Sequence, residues 1–245
     1  MTGLRPALGL IRSLAIYHGR PWRRRRLARF YAQFLGPGDL AFDIGAHVGN
    51  RTLALRAAGA RVVALEPQAP FAGFLRRILP ADVTLIEAAA GATPGRAELA
   101  VSTLHPTVSS LAGLPATVGQ AEGFAHVRWD RRQSVAVTTL DALIARHGRP
   151  ALIKIDVEGF EAEVLAGLSQ PVPLVALEYL PQLPQAAQAA VRRLASLGPY
   201  RFNAVPGEAE AFLWPDWRPP AEALDWLATL PPNAGSGDLY ARLPA

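Results

Sequence analysis

Phe42-Asp43-Ile44-Gly45-Ala46-His47-Val48-Gly49-Asn50 is the stretch that decides how this chain folds. A buried-strand run, Leu40–Ile44, ends in it, and a helical pattern, Asn50–Ala58, begins in it. Glycines at such a turn let the backbone approach a ligand closely, and the helix start offers N–H groups. A dinucleotide-binding turn would read G-x-G-x-x-G. Here the spacing is D-x-G-x-x-x-G, with the acid ahead of the first glycine. That order suits a ligand presenting an amino-acid moiety and a ribose better than one presenting a pyrophosphate.

Toward the C-terminus the alternation continues. Arg61–Leu65 and Val83–Ala88 read as strands, with a helix over Pro70–Leu79 between them. Strand–helix–strand–helix–strand is the pattern of a parallel sheet with crossover helices. Ala97–Val101 and Ser134–Thr138 also read as strands, and the irregular segment between them is too long for an ordinary loop, which suggests a lid or substrate loop. Regular helices follow over Thr139–His147 (capped by Thr139), Phe160–Gly167, Gln185–Leu197 and Ala221–Thr229. Strands alternate with them at Ala151–Ile155, Leu174–Glu178, Tyr200–Ala204 and Leu239–Leu243. Toward the N-terminus, residues 4–35 read as helical, with apolar stripes Leu8/Ile11/Leu14/Ala15 and Leu27/Phe30/Tyr31/Phe34. Gly19-Arg20-Pro21 separates the stripes, and Gly36-Pro37-Gly38 stops the second. The expected organisation is a helical arm, residues 1–37, and one α/β domain, residues 38–245.

Composition sets limits on this reading. Half of the 245 residues are hydrophobic and 18% are charged, which supplies a core and argues against disorder. The absence of cysteine removes disulfides, thiolate-bound metals and thiol nucleophiles. Five scattered histidines without metal-ligand spacing predict no metal site. The formal charge of +5 is concentrated at one end: residues 1–38 hold eight arginines and no acid. The remainder carries 17 basic against 20 acidic residues, so a nucleic-acid-binding body is not expected. No apolar run reaches the ~18 residues of a spanning helix. Ala7–Tyr17 is interrupted by Arg12 and precedes its cationic cluster, unlike a secretory signal. The expected location is the cytoplasm; the basic arm is read either as a solvated helix packed on the domain by its apolar stripe or as a peripheral contact with an anionic inner-membrane surface.

Two further stretches carry chemistry. Val62-Val63-Ala64-Leu65-Glu66-Pro67 places Glu66 at the carboxyl end of the second strand, where a carboxylate can accept both hydroxyl protons of a ribose. Leu152-Ile153-Lys154-Ile155-Asp156-Val157-Glu158-Gly159-Phe160-Glu161 places Asp156 and Glu158 on the same sheet edge. If the strand geometry continues, the two acids point the same way. Glu161 and Glu163 are read as favourable charge in the first turn of the next helix. His105, in the irregular segment, is a candidate base. Trp214, Trp217 and Trp226 read as core packing.

With these stretches in hand, the chain resembles the FkbM family of S-adenosylmethionine (SAM)-dependent methyltransferases. The matching blocks are FDIGAHVGN (42–50), VVALEP (62–67), VTTLDALI (137–144), LIKIDVEGFEAEVLAG (152–167) and the strand ending in Glu178. The resemblance implies a class I methyltransferase fold, doubly wound and Rossmann-like, with a mostly parallel seven-stranded sheet whose last strand is antiparallel. It implies methyl transfer from SAM, usually to a hydroxyl of a sugar, glycan or natural product. By position, Asp43, Gly45 and Gly49, with Ala46, His47 and Asn50 of the same turn, would hold the methionine part. Glu66 and Pro67 would lie at the ribose and Ala89 near adenine, while Asp156 and Glu158 would face the methyl group and acceptor. Two positions depart from the family pattern: His47 stands where Asn is common, and Ala90-Gly91-Ala92 lacks an acid often found there. The alternatives kept open are N-methylation of an amine and a SAM-binding module without catalysis. A nicotinamide-binding domain is disfavoured by the missing G-x-G-x-x-G.

Overall fold

A computed structural model describes residues 10, 13–14, 21–102, 110–111, 131–207 and 209–244. His105 and most of the segment expected to be a lid lie outside the described residues, as does most of the arm before Pro21.

The hydrophobic pattern of the strands settles the layering. In β1 (Leu40–Ile44), Phe42 and Ile44 enter one core layer, while Ala41 enters the opposite one. In β8 (Leu152–Ile155), Ile153 and Ile155 join the first layer and Leu152 the second. Period-two alternation in a strand buried on both faces thus builds a sheet with helices on each side. Helices α4 (Leu140–His147), α5 (Glu161–Ala166), α6 (Pro184–Leu197) and α7 (Pro220–Thr229) supply residues to the first layer. The second is built on α1 (Pro21–Tyr31), α2 (Asn50–Ala57) and α3 (Ala69–Ile78).

The remaining main-sheet strands are β2 (Arg61–Leu65), β3 (Thr84–Ile86), β9 (Leu174–Tyr179), β10 (Arg201–Pro206) and β11 (Gly237–Arg242). Their order is β10-β11-β9-β8-β1-β2-β3. β1 runs parallel to β2 and β8, as do β2 to β3 and β8 to β9; β11 is antiparallel to both β9 and β10. This is the expected class I methyltransferase arrangement, with the last strand reversed. Connections leave β1 and β8 toward opposite edges, so the crevice beyond their carboxyl ends is the switch point where open α/β sheets bind ligands.

The structure corrects one expected strand. The run Val83–Ala88 divides into β3, which pairs with β2, and β4 (Ala88–Ala90). β4 joins a second sheet, ordered β4-β7-β5-β6, with β5 (Gly95–Val101), β6 (Ser110–Leu111) and β7 (Arg131–Thr138). The main-sheet ladder stops after the Glu66 N–H meets the Ile86 carbonyl, because the next N–H on that side, that of Gln68, donates to the Glu66 carboxylate instead. The chain crosses to the second sheet at exposed Glu87. Thr139 caps α4 as expected, its Oγ1 accepting from the Ala142 N–H at 3.1 Å. The three tryptophans pack against other aromatic rings: Trp226 meets Trp214 and Tyr179 edge-on, and Trp217 meets Phe212.

Candidate active site

The turn after β1 is held against two neighbouring elements. The Gly45 and Ala46 N–H groups donate to the Leu65 carbonyl of β2 at 3.0 and 2.8 Å. Gly45 has φ +89°, and a Cβ on it would stand 2.0 Å from the Asp156 carbonyl oxygen. Only glycine lets the turns after β1 and β8 touch. Gly49 faces α3, where a Cβ would fall 2.8 Å from Leu75 Cδ2. Asp43 is buried, and its carboxylate accepts a short hydrogen bond from the Thr52 hydroxyl of α2.

Glu66, at the end of β2, is buried, and each of its oxygens accepts a backbone N–H. Oε2 takes His47 at 2.7 Å and Oε1 takes Gln68 at 2.8 Å. Burial pushes its carboxyl up to about 7, against the pull of those two N–H groups. One lone pair on each oxygen is left for a further donor.

At the end of β8 a charge network is assembled from four elements. Lys154, with no exposed surface, places its Nζ 3.1 Å from Asp238 Oδ1 of β11 and 3.4 Å from Asp156 Oδ2. Arg51 of α2 reaches Asp238 Oδ2 at 3.1 Å and Asp156 Oδ2 at 3.8 Å, and its Nη1 donates to the Tyr31 hydroxyl of α1 at 3.3 Å. Burial opposes ionisation of Asp156, but Lys154 and Arg51 outweigh it and hold its carboxyl below the ordinary range. The expected extended geometry does not continue past Asp156. Glu158 sits at φ +57° in a turn that Glu161 pins, with Glu161 Oε1 accepting the Val157 and Gly159 N–H groups at 3.2 Å each. Glu161 is therefore buried inside the turn rather than exposed as a helix-end charge.

The turn still brings Asp156 and Glu158 together and adds Glu178 from β9: one carboxylate oxygen from each lies within 4.8 Å of the others. Three anions at that spacing repel unless protons or a cation intervene. Burial raises Glu158 well above its ordinary range, reinforced by Asp156 and Glu161; burial, Asp156 and Glu158 do the same to Glu178. Asp156 is therefore the most readily ionised of the trio, and the two glutamates resist ionisation.

One cavity of about 270 Å³ joins these features, close to the ~300 Å³ lower end of small-molecule sites. From the β1 turn it is lined by Gly45, Ala46, His47 and Asn50, and from β2 and β4 by Glu66, Pro67 and Ala89. Asp156, Glu158 and Glu178 form another wall. Asp43 and Gly49 are not on the wall: they stand behind it, one holding α2 and the other admitting α3. His47, Glu158 and Glu210 are the non-glycine residues with positive φ among the described residues, and all three line this cavity. Backbone strain gathers where a structure holds groups for function. Sequence reasoning missed Arg51, Asp238 and Glu210 as site residues, since nothing local marks them. Glu178 carries the same mark as Glu66, an acid at a strand's carboxyl end.

Residues 43–196 match the family model described as Methyltransferase FkbM domain. The chain belongs to this FkbM methyltransferase family. No curated protein matches it. Among solved structures, it is similar to an O-methyltransferase from Bacillus cereus in complex with SAH, at 13% identity and TM-score 0.47, over 96% of this chain and 90% of that one. It is also similar to precorrin-6y C5,15-methyltransferase from Geobacter metallireducens GS-15, at 14% identity and TM-score 0.45, over 89% and 86%. Cofactor-bound Rv0187 from MTB matches at 14% identity and TM-score 0.44, over 91% and 79%. Within the FkbM match lie the β1 turn, Glu66 and the acidic trio, the groups that wall the cavity.

Proposed function

We propose that this FkbM methyltransferase transfers a methyl group from SAM to a hydroxyl of a small-molecule, sugar or glycan acceptor. The observation that carries the reading is the arrangement of one cavity. Glu66 stands on one wall and the Asp156/Glu158/Glu178 trio on another, with the tight Gly45 turn beside both. The cavity fits the cofactor's chemistry: Glu66 keeps acceptor capacity for two ribose hydroxyls, the apolar Ala88–Ala90 strand offers a flat wall for adenine, and the β1 turn offers backbone to the methionine end. Bound there, SAM supplies an electrophilic methyl group on a sulfonium.

The protein's work is alignment and proton handling. Lys154 and Arg51 fix Asp156, which accepts the acceptor's O–H and points its oxygen at the methyl carbon. The hydroxyl proton passes to the same carboxylate cluster: Asp156, the most readily ionised of the three, is its first acceptor, with Glu158 and Glu178 beside it. An amine acceptor fits less well. An ammonium must lose its proton before it can attack, and an anionic Asp156 would stabilise the unreactive form.

Incubation with methyl-labelled SAM and glycan or lipid extracts, read by mass spectrometry, tests the reading. Label on an oxygen is expected, and Asp156→Asn should bind S-adenosylhomocysteine (SAH) normally while losing most turnover. Label on nitrogen supports N-methylation instead, and SAH binding without turnover on any acceptor supports a non-catalytic module. Normal turnover by Asp156→Asn overturns the role given to Asp156.

A further inference from the structure

Helix α1 has two unlike faces. Leu27, Phe30 and Tyr31 are buried in the core, and Arg23, Leu27 and Phe30 line the cavity. On the outside, Trp22, Arg25, Arg26 and Arg29 recur at i, i+3, i+4 and i+7 and are all exposed. The helix contains no acid. Only two large hydrophobic side chains are exposed among the described residues, Trp22 at 58% and Leu213 at 43%. Trp22 is the one of the two that lies on α1.

An exposed indole on an arginine stripe is the pattern of a helix lying in a lipid interface: the ring sits at headgroup level while the guanidinium groups meet phosphates. A nucleic-acid tract would need basic surface well beyond one stripe of about 10 Å, and the sequence from residue 39 onward is net acidic. We propose that α1 docks this protein on an anionic phospholipid surface through Trp22, Arg25 and Arg29. Docking so places the cavity within one helix diameter, about 10–12 Å, of that surface. The consequence that the acceptor is membrane-borne rests on the methyltransferase reading; the docking itself does not.

Co-sedimentation of the full chain with vesicles provides the test. Phosphatidylcholine vesicles containing phosphatidylglycerol should carry the protein down at low salt and release it at high salt, and pure phosphatidylcholine vesicles should not. The triple variant Trp22→Ala, Arg25→Glu, Arg29→Glu should lower partitioning by about tenfold or more, with SAH affinity unchanged as the check on folding. No sedimentation with anionic vesicles at low salt overturns the proposal. So does a triple variant that binds them as well as the parent, or a duplex RNA that strips the protein from them at matched phosphate concentration. Loss of SAH binding by the parent protein would count against the cofactor reading and leave the vesicle result to stand separately.

Discussion

Lys154 is the only lysine of the chain, and it is spent on structure rather than on solvation. It touches both Asp156 and Asp238, so Lys154→Met should leave the buried Asp238 and the half-buried Asp156 short of a partner. The expected cost is about 3–5 kcal/mol of stability, read by chemical denaturation; a cost near zero would show that Arg51 alone satisfies both acids. Glu66 makes a different prediction. Only its ionised form can accept two ribose hydroxyls, and its carboxyl sits at about 7 before ligand arrives. SAH affinity should therefore rise with pH up to about 7 and level off above it, with a proton released on binding below that point. Calorimetry in buffers of different ionisation heat measures that proton. In Glu66→Gln the pH dependence should vanish, and its persistence would assign it to another group.

Among the elements, the turns after β1 and β8 are built as one unit. Gly45→Ala drives a Cβ into the Asp156 carbonyl, whereas Gly38, also at positive φ, has open space around the same position. Gly38→Ala should cost only the left-handed backbone penalty, about 1–2 kcal/mol. Gly45→Ala should cost more than that and should also abolish SAH binding; equal costs in thermal melts would remove the apposition argument. The sequence shows the turn, the three strands around it and the acids at the ends of β2 and β8, because β1, β2 and β8 are buried on both faces and read as apolar runs. It does not show the break between β3 and β4, since Val83–Ala90 is apolar apart from Thr84 and Glu87 and the change of sheet is decided by pairing with β7. It also predicts the convergence of Asp156 and Glu158 from extended geometry, when the actual cause is a left-handed Glu158 in a turn tied by Glu161. Asp238 stays invisible because only the sheet order, which sets β11 beside β9, brings it to Lys154, and Arg51 because its partners Asp156 and Asp238 lie far along the chain.

For the whole molecule, the buried acids set how stability responds to pH. Burial raises Glu66 and Glu161 from 4.5 to about 7, and their backbone N–H partners only partly offset it. Between those limits the folded protein keeps protons that the unfolded chain releases. Their contribution is thus complete below about 4.5 and is lost as pH rises through about 7. Asp156 has the opposite sign: it is held down, so its contribution is present above its ordinary range and lost on strong acidification. Denaturation midpoints should therefore fall from mildly acidic pH to pH ~7, and Glu66→Gln with Glu161→Gln should make that slope shallower, leaving the part that Glu158 and Glu178 supply. No helix among the described residues is long and apolar enough to cross a membrane. The central claim is that Glu66 and the β1 turn hold SAM in the cavity that the acidic trio also lines. Isothermal calorimetry with SAH, in the presence of a metal chelator, tests it most directly: wild-type protein should bind at one site, Asp156→Asn should match it, and Glu66→Ala should bind more weakly by about 1–3 kcal/mol, whereas no binding by the wild type, or unchanged affinity in Glu66→Ala, would contradict it.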